Sequence, residues 1–429
     1  MEKNYQTKTA AAMIVPDSVA ITMTDLAEEL REGLLALAVG TGLQVMDVLL
    51  EESVTALAGP KGRHDPDRIA VRHGHDEGSV TLGGRRVPVR RPRVRSADGA
   101  RELAVPAYEH FSSTEILSRL AMEKMLAKLS TRRYKSGLEP VGERVEANAS
   151  STSRSAVSRR FVEATEHALG ELLAVNLSEL DLVALMIDGV HFGDHVCVVA
   201  MGIDITGRKR PLSITEGDTE NATVVKDLLV GLRDRGLEVT RPVLVVIDGA
   251  KALAGAVKAV FDHPVIHRCQ LHKIRNVESK LPKALAKTVT KKMRAIYHYD
   301  DALRAEAELE ELARQLQRSH PGAAGSLREG LGETLTVMAL KVPPTLGRTL
   351  RSTNAIESMI EICRDHSANV KRWRDGQMAL RWCAAGMVEA GKQFRKVNGF
   401  LHLPALRAAL DDYVEHGVTP IDYNKEDAA

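Results

Sequence analysis

Two short apolar runs, each followed by an aspartate and a glycine, constrain the fold of this chain more than any other feature. Residues 182–187 read LVALMI and lead into Asp188, and residues 243–247 read VLVVI and lead into Asp248. Unbroken apolar runs of this length predict strands that are buried on both faces of a sheet. We therefore expect both aspartates at one edge of the sheet. Two neighbouring carboxylates repel each other unless a divalent cation lies between them, so the pattern predicts a metal site.

A third carboxylate, Glu357, completes the predicted site. It lies in the stretch RSTNAIES, where Ser352 or Thr353 is expected to cap a helix whose apolar stripe faces the core. Glu357 then falls in the first turn of that helix, where the backbone dipole favours a negative charge. Three carboxylates are oxygen ligands of the kind that Mg²⁺ or Mn²⁺ prefers.

The order of the elements around these residues predicts an α/β fold. From residue 182 the pattern indicates three meandering strands, a helix over 221–233, the strand before Asp248, a helix over 251–261 and the strand PVIHR. This order is typical of the ribonuclease H-like fold. Residues 281–340 are helical in pattern almost throughout, in three pieces, so we expect an all-helical insertion that separates Asp248 from Glu357.

Basic residues are concentrated in three blocks, although the net charge of the chain is only +2. Residues 61–101 hold eleven basic and five acidic residues, residues 273–294 hold eight and one, and residues 364–396 hold eight and three. Blocks of this kind indicate surfaces for a polyanion, and solvated helix faces are the alternative interpretation. Overlapping the last block, residues 371–397 are predicted to form a basic helical segment.

A basic hairpin is predicted over residues 72–95. Alternating apolar residues flank the Gly83–Gly84 pair, which is typical of two strands joined by a tight turn. Such a ribbon can lie along phosphates or reach into a groove of DNA. The arginines predicted to bind DNA are Arg85, Arg86, Arg90, Arg91, Arg93 and Arg95.

A helix-turn-helix-like element is predicted after the hairpin. The pattern indicates a helix from Ser113 to Tyr134 and a second helix that begins near Arg154 and also carries Arg159 and Arg160. A helix with such a start can contact bases and backbone. The connecting loop is longer than the usual turn of three or four residues.

The first sixty residues are predicted to form a pair of helices for packing or dimerisation. The first helix begins after Thr24, and a second follows a break at Gly40–Gly42. The sequence pattern indicates neither a signal peptide nor an apolar run of roughly 18 residues. We therefore expect a soluble cytoplasmic protein without a membrane partner.

Four further residues carry open alternatives. Cys269 and His272 are either two ligands of a zinc ion or a buried structural thiol beside a histidine near the site. Arg351 is either a phosphate clamp or a cation at a helix start. Trp382 either belongs to the core or stacks on an unpaired base.

These residues together resemble a DDE transposase of the Mutator superfamily, in its bacterial insertion-sequence branch. The resemblance covers about Glu51 to Lys396. It includes RHG with the hairpin VPVRRPRVR, the strand ending in Asp188, VIDGAKAL with CQLHKIRNV downstream, and STNAIES. His75 stands where the family commonly has a tyrosine.

The resemblance implies a chemistry and its partners. Asp188, Asp248 and Glu357 would be the catalytic residues and would hold two Mg²⁺ or Mn²⁺ ions for cleavage and transfer of DNA strands. The expected partners are double-stranded DNA, as terminal inverted repeats and as target, and a second copy of the chain. The expected location is the bacterial cytoplasm, in association with the nucleoid. Two alternatives are a catalytically inactive DNA-binding regulator of the element and a hydrolase of small phosphoesters.

Seven regions are predicted along the chain. They are an N-terminal helical region (1–60), a basic β-hairpin (61–105), a helix-turn-helix-like domain (106–178), the first part of the ribonuclease H-like core (179–280), the helical insertion (281–345), the last part of the core with the catalytic helix (346–400), and a C-terminal tail (401–429).

Overall fold

The computed structural model describes residues 33–63, 65–219 and 221–415. It is a mixed α/β structure that divides in sequence into two units, Met1–Ala164 and Thr165–Ala429. The predicted start of the first helix at Thr24 and the last part of the predicted tail, residues 416–429, lie outside the described residues.

The described part of the first unit contains a long helix, a three-stranded antiparallel sheet and shorter helices. Its elements are α1 (Leu34–Ala58), β1 (Ala70–Leu82), β2 (Arg85–Ser96), β3 (Glu102–Leu103), α2 (Pro106–Ser112), α3 (Glu115–Leu126), α4 (Glu143–Asn148) and the start of α5 (Arg154–Ala174).

The predicted hairpin is formed by β1 and β2. They pair antiparallel from Leu82 opposite Arg85 to Ala70 opposite Ser96. Gly83 and Gly84 make the turn with φ angles of 52° and 77°, a region that glycine enters without steric cost. The sheet thereby presents one apolar face and a largely polar one.

The predicted break at Gly40–Gly42 is wrong, because α1 is one continuous helix of 25 residues. A glycine inside a helix costs only about 1 kcal/mol relative to alanine. Met46 and Leu50 of α1 pack with Val80 and Val87 of the hairpin, and burial of such side chains outweighs that cost.

The prediction about apolar runs also needs correction. Among the described residues, α1 is long and apolar enough to cross a membrane by length and composition alone. A helix that packs on a hydrophobic core passes the same test, and the buried residues of α1 contact the hairpin.

A tight helix-turn-helix is not formed by the predicted pair of helices. The first of them, α3, ends at Leu126 rather than at Tyr134, and α5 begins at Arg154. Residues 127–153 lie between them and include the short helix α4. This connection is far longer than the turn of three or four residues in that motif.

The second unit contains the remaining strands and helices. They are β4 (Leu182–Phe192), β5 (His195–Asp204), β6 (Lys209–Glu216), α6 (Ala222–Asp234), β7 (Val243–Ile247), α7 (Lys251–Val260), β8 (Pro264–Arg268), α8 (Gln270–Glu278), α9 (Lys283–Ile296), α10 (Ala302–Gln317), α11 (Pro321–Arg328), α12 (Leu331–Ala339), α13 (Pro344–Leu350), α14 (Asn354–His366), α15 (Gly376–Gln393) and α16 (Leu403–Glu415).

One five-stranded sheet organises this unit, in the order β6-β5-β4-β7-β8. The first three strands are the predicted antiparallel meander. β4 also pairs parallel with β7, and β7 pairs parallel with β8. Asp188 is not the last residue of its strand as predicted, because β4 continues to Phe192 and turns at Gly193 into β5.

The sheet separates two hydrophobic cores, because side chains alternate between its faces. On one face, Leu185 and Ile187 of β4 pack against α6 and α7. On the other face, Met186 of β4 and Val246 of β7 pack against α14, α15 and α16. Helices therefore cover both faces, as the unbroken apolar runs of these strands require.

Residues 270–339 form a helical segment with a separate hydrophobic core. Its core is built from side chains of α8 to α12, such as Met293, Leu309 and Leu327. The sequence pattern indicated three helical pieces between residues 281 and 340, whereas the structure has four helices there.

The C-terminal end of the described chain differs from its prediction in two ways. Residues 403–415 form α16, with Leu406 and Leu410 buried in the core, and are not part of a tail. The block predicted as a basic helix contains α15, whose faces are mostly buried. Leucines spaced at three to four residues were the signal for α16.

Substitution of Gly42 by alanine is expected to stabilise the protein by about 0.5 to 1 kcal/mol. Gly42 lies inside α1 in an exposed position, and a Cβ atom there would meet nothing within 4 Å. Urea unfolding at equilibrium measures this difference.

The matched control is Gly84→Ala, which is expected to destabilise the protein. Gly84 has a positive φ angle, and a Cβ atom would approach Leu120 Cδ2 to 2.6 Å. Loss of stability in Gly42→Ala would show that the helix is interrupted at this position, as the sequence pattern suggested.

Candidate active site

The two aspartates are aligned by the register of neighbouring parallel strands. β4 and β7 pair Ala184 with Leu244 and Met186 with Val246. The same register, continued by two residues, aligns Asp188 with Asp248. Neighbouring strands lie about 4.8 Å apart, so the backbones of the two residues are close. Alternation along β4 directs Asp188 to the face that carries Met186, and Asp248 directly follows the end of β7.

Helix α14 covers that same face and carries Glu357. Ile356, Met359 and Ile360 are buried in the core beneath it. Glu357 lies in the first turn of the helix, as predicted, and is half-buried. Thr353 is the N-cap residue, but its hydroxyl does not cap the backbone. It donates a hydrogen bond to Glu357 Oε1 instead, at 2.7 Å.

The electrostatics of Asp188 show that the three carboxylates share one environment. The pKa of Asp188 is raised to about 6, mainly by burial, and the negative charges of Asp248 and Glu357 contribute to this rise. The Gly189 N–H, which donates to Asp188 Oδ1 at 2.8 Å, and the nearby His272 act in the opposite direction. Asp248 accepts a hydrogen bond from the Ala250 N–H at 2.9 Å.

Cys269 and His272 lie beside Glu357. The Cys269 thiol is fully buried and lies 3.4 Å from both the backbone nitrogen and the hydroxyl of Thr353. His272 Nδ1 is 3.4 Å from the same hydroxyl, and its Nε2 is 3.9 Å from Glu357 Oε1. The thiol and the histidine thus both contact Thr353 at the N-terminal end of α14.

Hydrogen bonds and nearby charges shift the pKa values of Cys269 and His272. Burial acts to raise the pKa of the Cys269 thiol, but its hydrogen bonds with His272 and Thr353 outweigh burial and lower the pKa. The pKa of His272 is raised, first by Cys269 and then by the charges of Glu357 and Asp188. The neighbouring thiol and carboxylates thus favour the protonated form of the imidazole.

The donor set suits a hard divalent cation, although the side chains do not yet form a closed metal site. In the described parts of the chain, no group of three or more His, Cys, Asp or Glu side chains could hold a metal ion as it stands. Asp188, Asp248 and Glu357 nevertheless offer only oxygen ligands. Burial, and to a smaller extent the charges of Asp248 and Glu357, raise the pKa of Asp188, and a bound cation would favour its ionised form.

A comparison with known protein families decides the relationship. The family described as "Transposase, Mutator family" matches residues 19–397. The chain belongs to this family. The match includes all three carboxylates and the pair Cys269 and His272, so the resemblance read from the sequence motifs is confirmed.

Curated relatives of this Mutator-family chain are transposases of bacterial insertion sequences. The transposase for insertion sequence element ISRM5 of Rhizobium meliloti (strain 1021) is 28% identical over 85% of this chain and 89% of its own length. The transposase for IS6120 of Mycolicibacterium smegmatis is 30% identical over 54% of this chain and 72% of its own. The transposase for IS256 in transposon Tn4001 of Staphylococcus aureus is 24% identical over 75% of this chain and 82% of its own.

The six hairpin arginines predicted to bind DNA occupy very different environments in this Mutator-family chain. Arg85 is 3% exposed and pairs with Glu146 of α4, so it is a structural residue in this conformation. Arg86 donates to Ser79 and to the Ser112 carbonyl. Both arginines hold the hairpin against the helices that follow it.

The outer four arginines are more accessible. Arg91 and Arg93 form ion pairs with Glu102, and Arg90 is exposed. Arg95 is half-buried, and its Nε has no hydrogen-bond partner among the described residues. A phosphate could bind Arg90 without breaking any ion pair among the described residues. Arg91 and Arg93 would first have to give up their ion pairs with Glu102.

Arg154 and Arg159 of α5 are exposed, as a DNA contact requires. Arg160 is half-buried and donates to the Ser151 carbonyl at 2.7 Å. Arg351 is also half-buried; its side chain donates to the Gly347 carbonyl, while its own carbonyl accepts from Gln270. These contacts make Arg351 a link between the end of α13 and α8.

The proposed stacking role of Trp382 does not fit its position. Trp382 is 3% exposed, and its ring meets that of Trp373 edge to face with centroids 6.3 Å apart. A base cannot reach its face in this conformation, which favours the core interpretation. Sequence reasoning also treated Thr353 only as a cap; its contact with Glu357 spans one helical turn, a spacing that could have revealed it.

Substitution of Asp188 by asparagine is expected to stabilise the metal-free protein at pH 7.5 by about 1 to 3 kcal/mol. The pKa of Asp188 rises from 3.8 to about 6 on folding, so between these values the folded protein binds more protons than the unfolded chain. Its stability therefore falls as the pH rises through this window, and the amide removes that loss. Denaturant unfolding with a chelator at pH 7.5 and at pH 4 measures it.

The gain should shrink towards zero at pH 4, where the native carboxyl is protonated. Asp194→Asn is the matched control, because Asp194 is exposed in the turn that follows β4. An equal gain at both pH values would contradict the electrostatic origin.

Proposed function

We propose that this chain is the DDE transposase of an insertion sequence, which binds the terminal inverted repeats of its element and catalyses metal-dependent cleavage and transfer of DNA strands. The observation that carries the proposal is the shared register of β4 and β7, which aligns Asp188 with Asp248 on the face covered by α14. Membership of the Mutator family of transposases supports it.

Each carboxylate has a part in the proposed chemistry. Asp188, Asp248 and Glu357 would hold two Mg²⁺ or Mn²⁺ ions. When bound, such ions lower the pKa of an attacking hydroxyl and neutralise charge on the leaving oxygen. The strands fix the two aspartates, and α14 brings Glu357 to them from a different part of the sequence.

The neighbouring polar residues orient Glu357. The Thr353 hydroxyl holds Glu357 Oε1, which leaves the other oxygen of the carboxylate for a different partner. Cys269 and His272 in turn surround the Thr353 hydroxyl. A positively charged His272 would also attract a phosphate of the DNA backbone into the site.

The fold proposed for the catalytic unit is ribonuclease H-like. Three antiparallel strands followed by two parallel strands, with helices on both faces, support this assignment. The helical segment 270–339 would then be an insertion before the catalytic helix. Its separate core supports the interpretation that it is an added substructure.

The proposed partners follow from the reaction. Double-stranded DNA must be present as the ends of the element and as the target. Two ends have to be held together for transfer, which favours a homodimer. Exposed arginines such as Arg90, Arg154 and Arg159 are the best placed of the predicted DNA contacts, because they are accessible.

Substitution of Glu357 by glutamine is expected to abolish strand cleavage while DNA binding persists. Glutamine keeps the shape of the side chain but removes the charge that a divalent ion needs. The measurement is cleavage and strand transfer on a labelled duplex that carries the element's own end, in Mg²⁺, with binding measured in parallel.

Glu361→Gln is the matched control, since Glu361 lies one turn later on α14 and is exposed. It should cleave like the wild type. Binding without cleavage in all three proteins, in Mg²⁺ and in Mn²⁺, would favour the inactive DNA-binding regulator.

Substitution of Thr353 by valine is expected to lower the cleavage rate about 10- to 100-fold, with DNA affinity unchanged. Valine keeps the buried shape but leaves Glu357 Oε1 without its hydrogen bond. Single-turnover cleavage under saturating Mg²⁺ measures the effect. Thr353→Ser retains the hydroxyl and should restore most of the rate; a serine variant as slow as valine would indicate a packing role instead.

A further inference from the structure

The segment between α14 and α15 presents a dense group of positive charges close to the candidate active site. Residues 371–374 read Lys-Arg-Trp-Arg, and we call them the KRWR segment. Lys371, Arg372 and Arg374 are exposed, whereas Trp373 is half-buried and packs against the core below the sheet. The sequence pattern had grouped these residues into a long basic helix, but the segment is not helical.

Trp373 fixes this segment to the turn between β4 and β5. The centroid of its ring lies 4.8 Å from the ring centroid of Phe192, and the ring meets that of Trp382 edge to face. Gly193, with φ of 61°, lies directly against the indole, since a Cβ atom there would be 3.1 Å from Trp373 Cδ1. A buried aromatic anchor of this kind restricts the backbone on both sides and so presents the three cations in a defined place.

The three cations have no protein partner among the residues that the structure describes. Within the described parts of the chain, neither an ion pair nor a side-chain hydrogen bond engages Lys371, Arg372 or Arg374. The acidic residue that follows them, Asp375, is used as the N-cap of α15 and accepts from the Met378 N–H at 2.7 Å. The positive charge of the segment is therefore available to an external anion.

The turn at Gly193, against which Trp373 packs, gives the distance from the KRWR segment to Asp188. Asp188 and Gly193 lie on the same strand and its turn, five residues apart, and a strand rises about 3.3 Å per residue. The anchor of the segment thus lies roughly 17 Å from Asp188. Successive phosphates of one DNA strand are spaced about 3.4 Å along the helix axis, so DNA whose axis runs along β4 spans this distance with about five nucleotides.

We propose that the KRWR segment, anchored by Trp373, binds the phosphate backbone of DNA about five nucleotides from the phosphate that reacts at Asp188, Asp248 and Glu357. Three unpaired cations at a fixed place match the charge spacing of a nucleic-acid backbone. The contact positions the strand and does not read its sequence. The inference rests on the proposed transposase function, because it needs DNA in the active site.

The first test is the salt dependence of binding to a duplex that carries the element's end. Lys371→Ala/Arg372→Ala is expected to reduce the slope of log affinity against log salt by about 1.8, since two phosphate contacts are lost. The matched control is Lys258→Ala/Arg318→Ala, which also removes one lysine and one arginine from exposed positions outside the segment. Its slope should equal that of the wild type.

The second test locates the contact. All four native cysteines are buried, so an introduced Lys371→Cys can be labelled selectively with an iron chelate that cuts nearby DNA. Cuts should cluster about five nucleotides from the cleavage point of the wild type. A label at Lys258→Cys should not produce that cluster, and equal cutting patterns from both labels would overturn the proposal.

The third test concerns the anchor. Trp373→Leu keeps all three cations but loses the ring contacts with Phe192 and Gly193. Alone, it is expected to leave the salt slope within about one unit of the wild type. Combined with the labelled Lys371→Cys, it is expected to broaden the cutting pattern. An unchanged pattern would exclude the anchoring role.

The outcomes distinguish a failure of the KRWR proposal from a failure of the proposed transposase function. A wild type that cleaves the duplex, together with a double variant of unchanged slope, would remove the KRWR contact and leave the transposase function intact. A wild type that neither binds nor cleaves the duplex would overturn both.

Discussion

Repulsion between carboxylates is the constraint on which the catalytic unit depends. Asp188 and Asp248 are brought side by side by strand pairing, and each would lower its energy by moving away. They stay together because the strands that carry them are buried on both faces by apolar side chains. The stability of the sheet thus offsets a local cost at the site, as is common where function requires strained or like-charged groups.

The strands and the helix that carry Asp188, Asp248 and Glu357 could be predicted from the sequence because their signals are local. Unbroken apolar runs that end in Asp-Gly are unusual, and a helix start such as STNAIES has few interpretations. The hairpin was equally clear, since alternation around Gly83–Gly84 leaves one register. The sequence predicted that the two aspartates lie at one edge of the sheet, but it could not supply the register. The pairing of β4 with β7, a long-range contact, comes only from the structure.

The wrong predictions have a common cause in tertiary packing. Gly40 and Gly42 suggested a break, but contacts of Met46 and Leu50 with the hairpin hold α1 together. The supposed C-terminal tail contains α16, which buries leucines in the main core. Charge was similarly misleading, because Arg85 and Arg90 look alike in the sequence while one is buried in an ion pair and the other is exposed. Ionic partners that are distant in sequence cannot be read from a charge block.

The helical segment 270–339 also sets the order in which the site is completed during synthesis. It stands between β8 and α14 in the chain and has its own core, so it can form before α14 has been synthesised. A nascent chain that has emerged only as far as this segment already carries the basic hairpin and both aspartates, but it lacks Glu357. Synthesis must therefore pass residue 357 before the three carboxylates can meet.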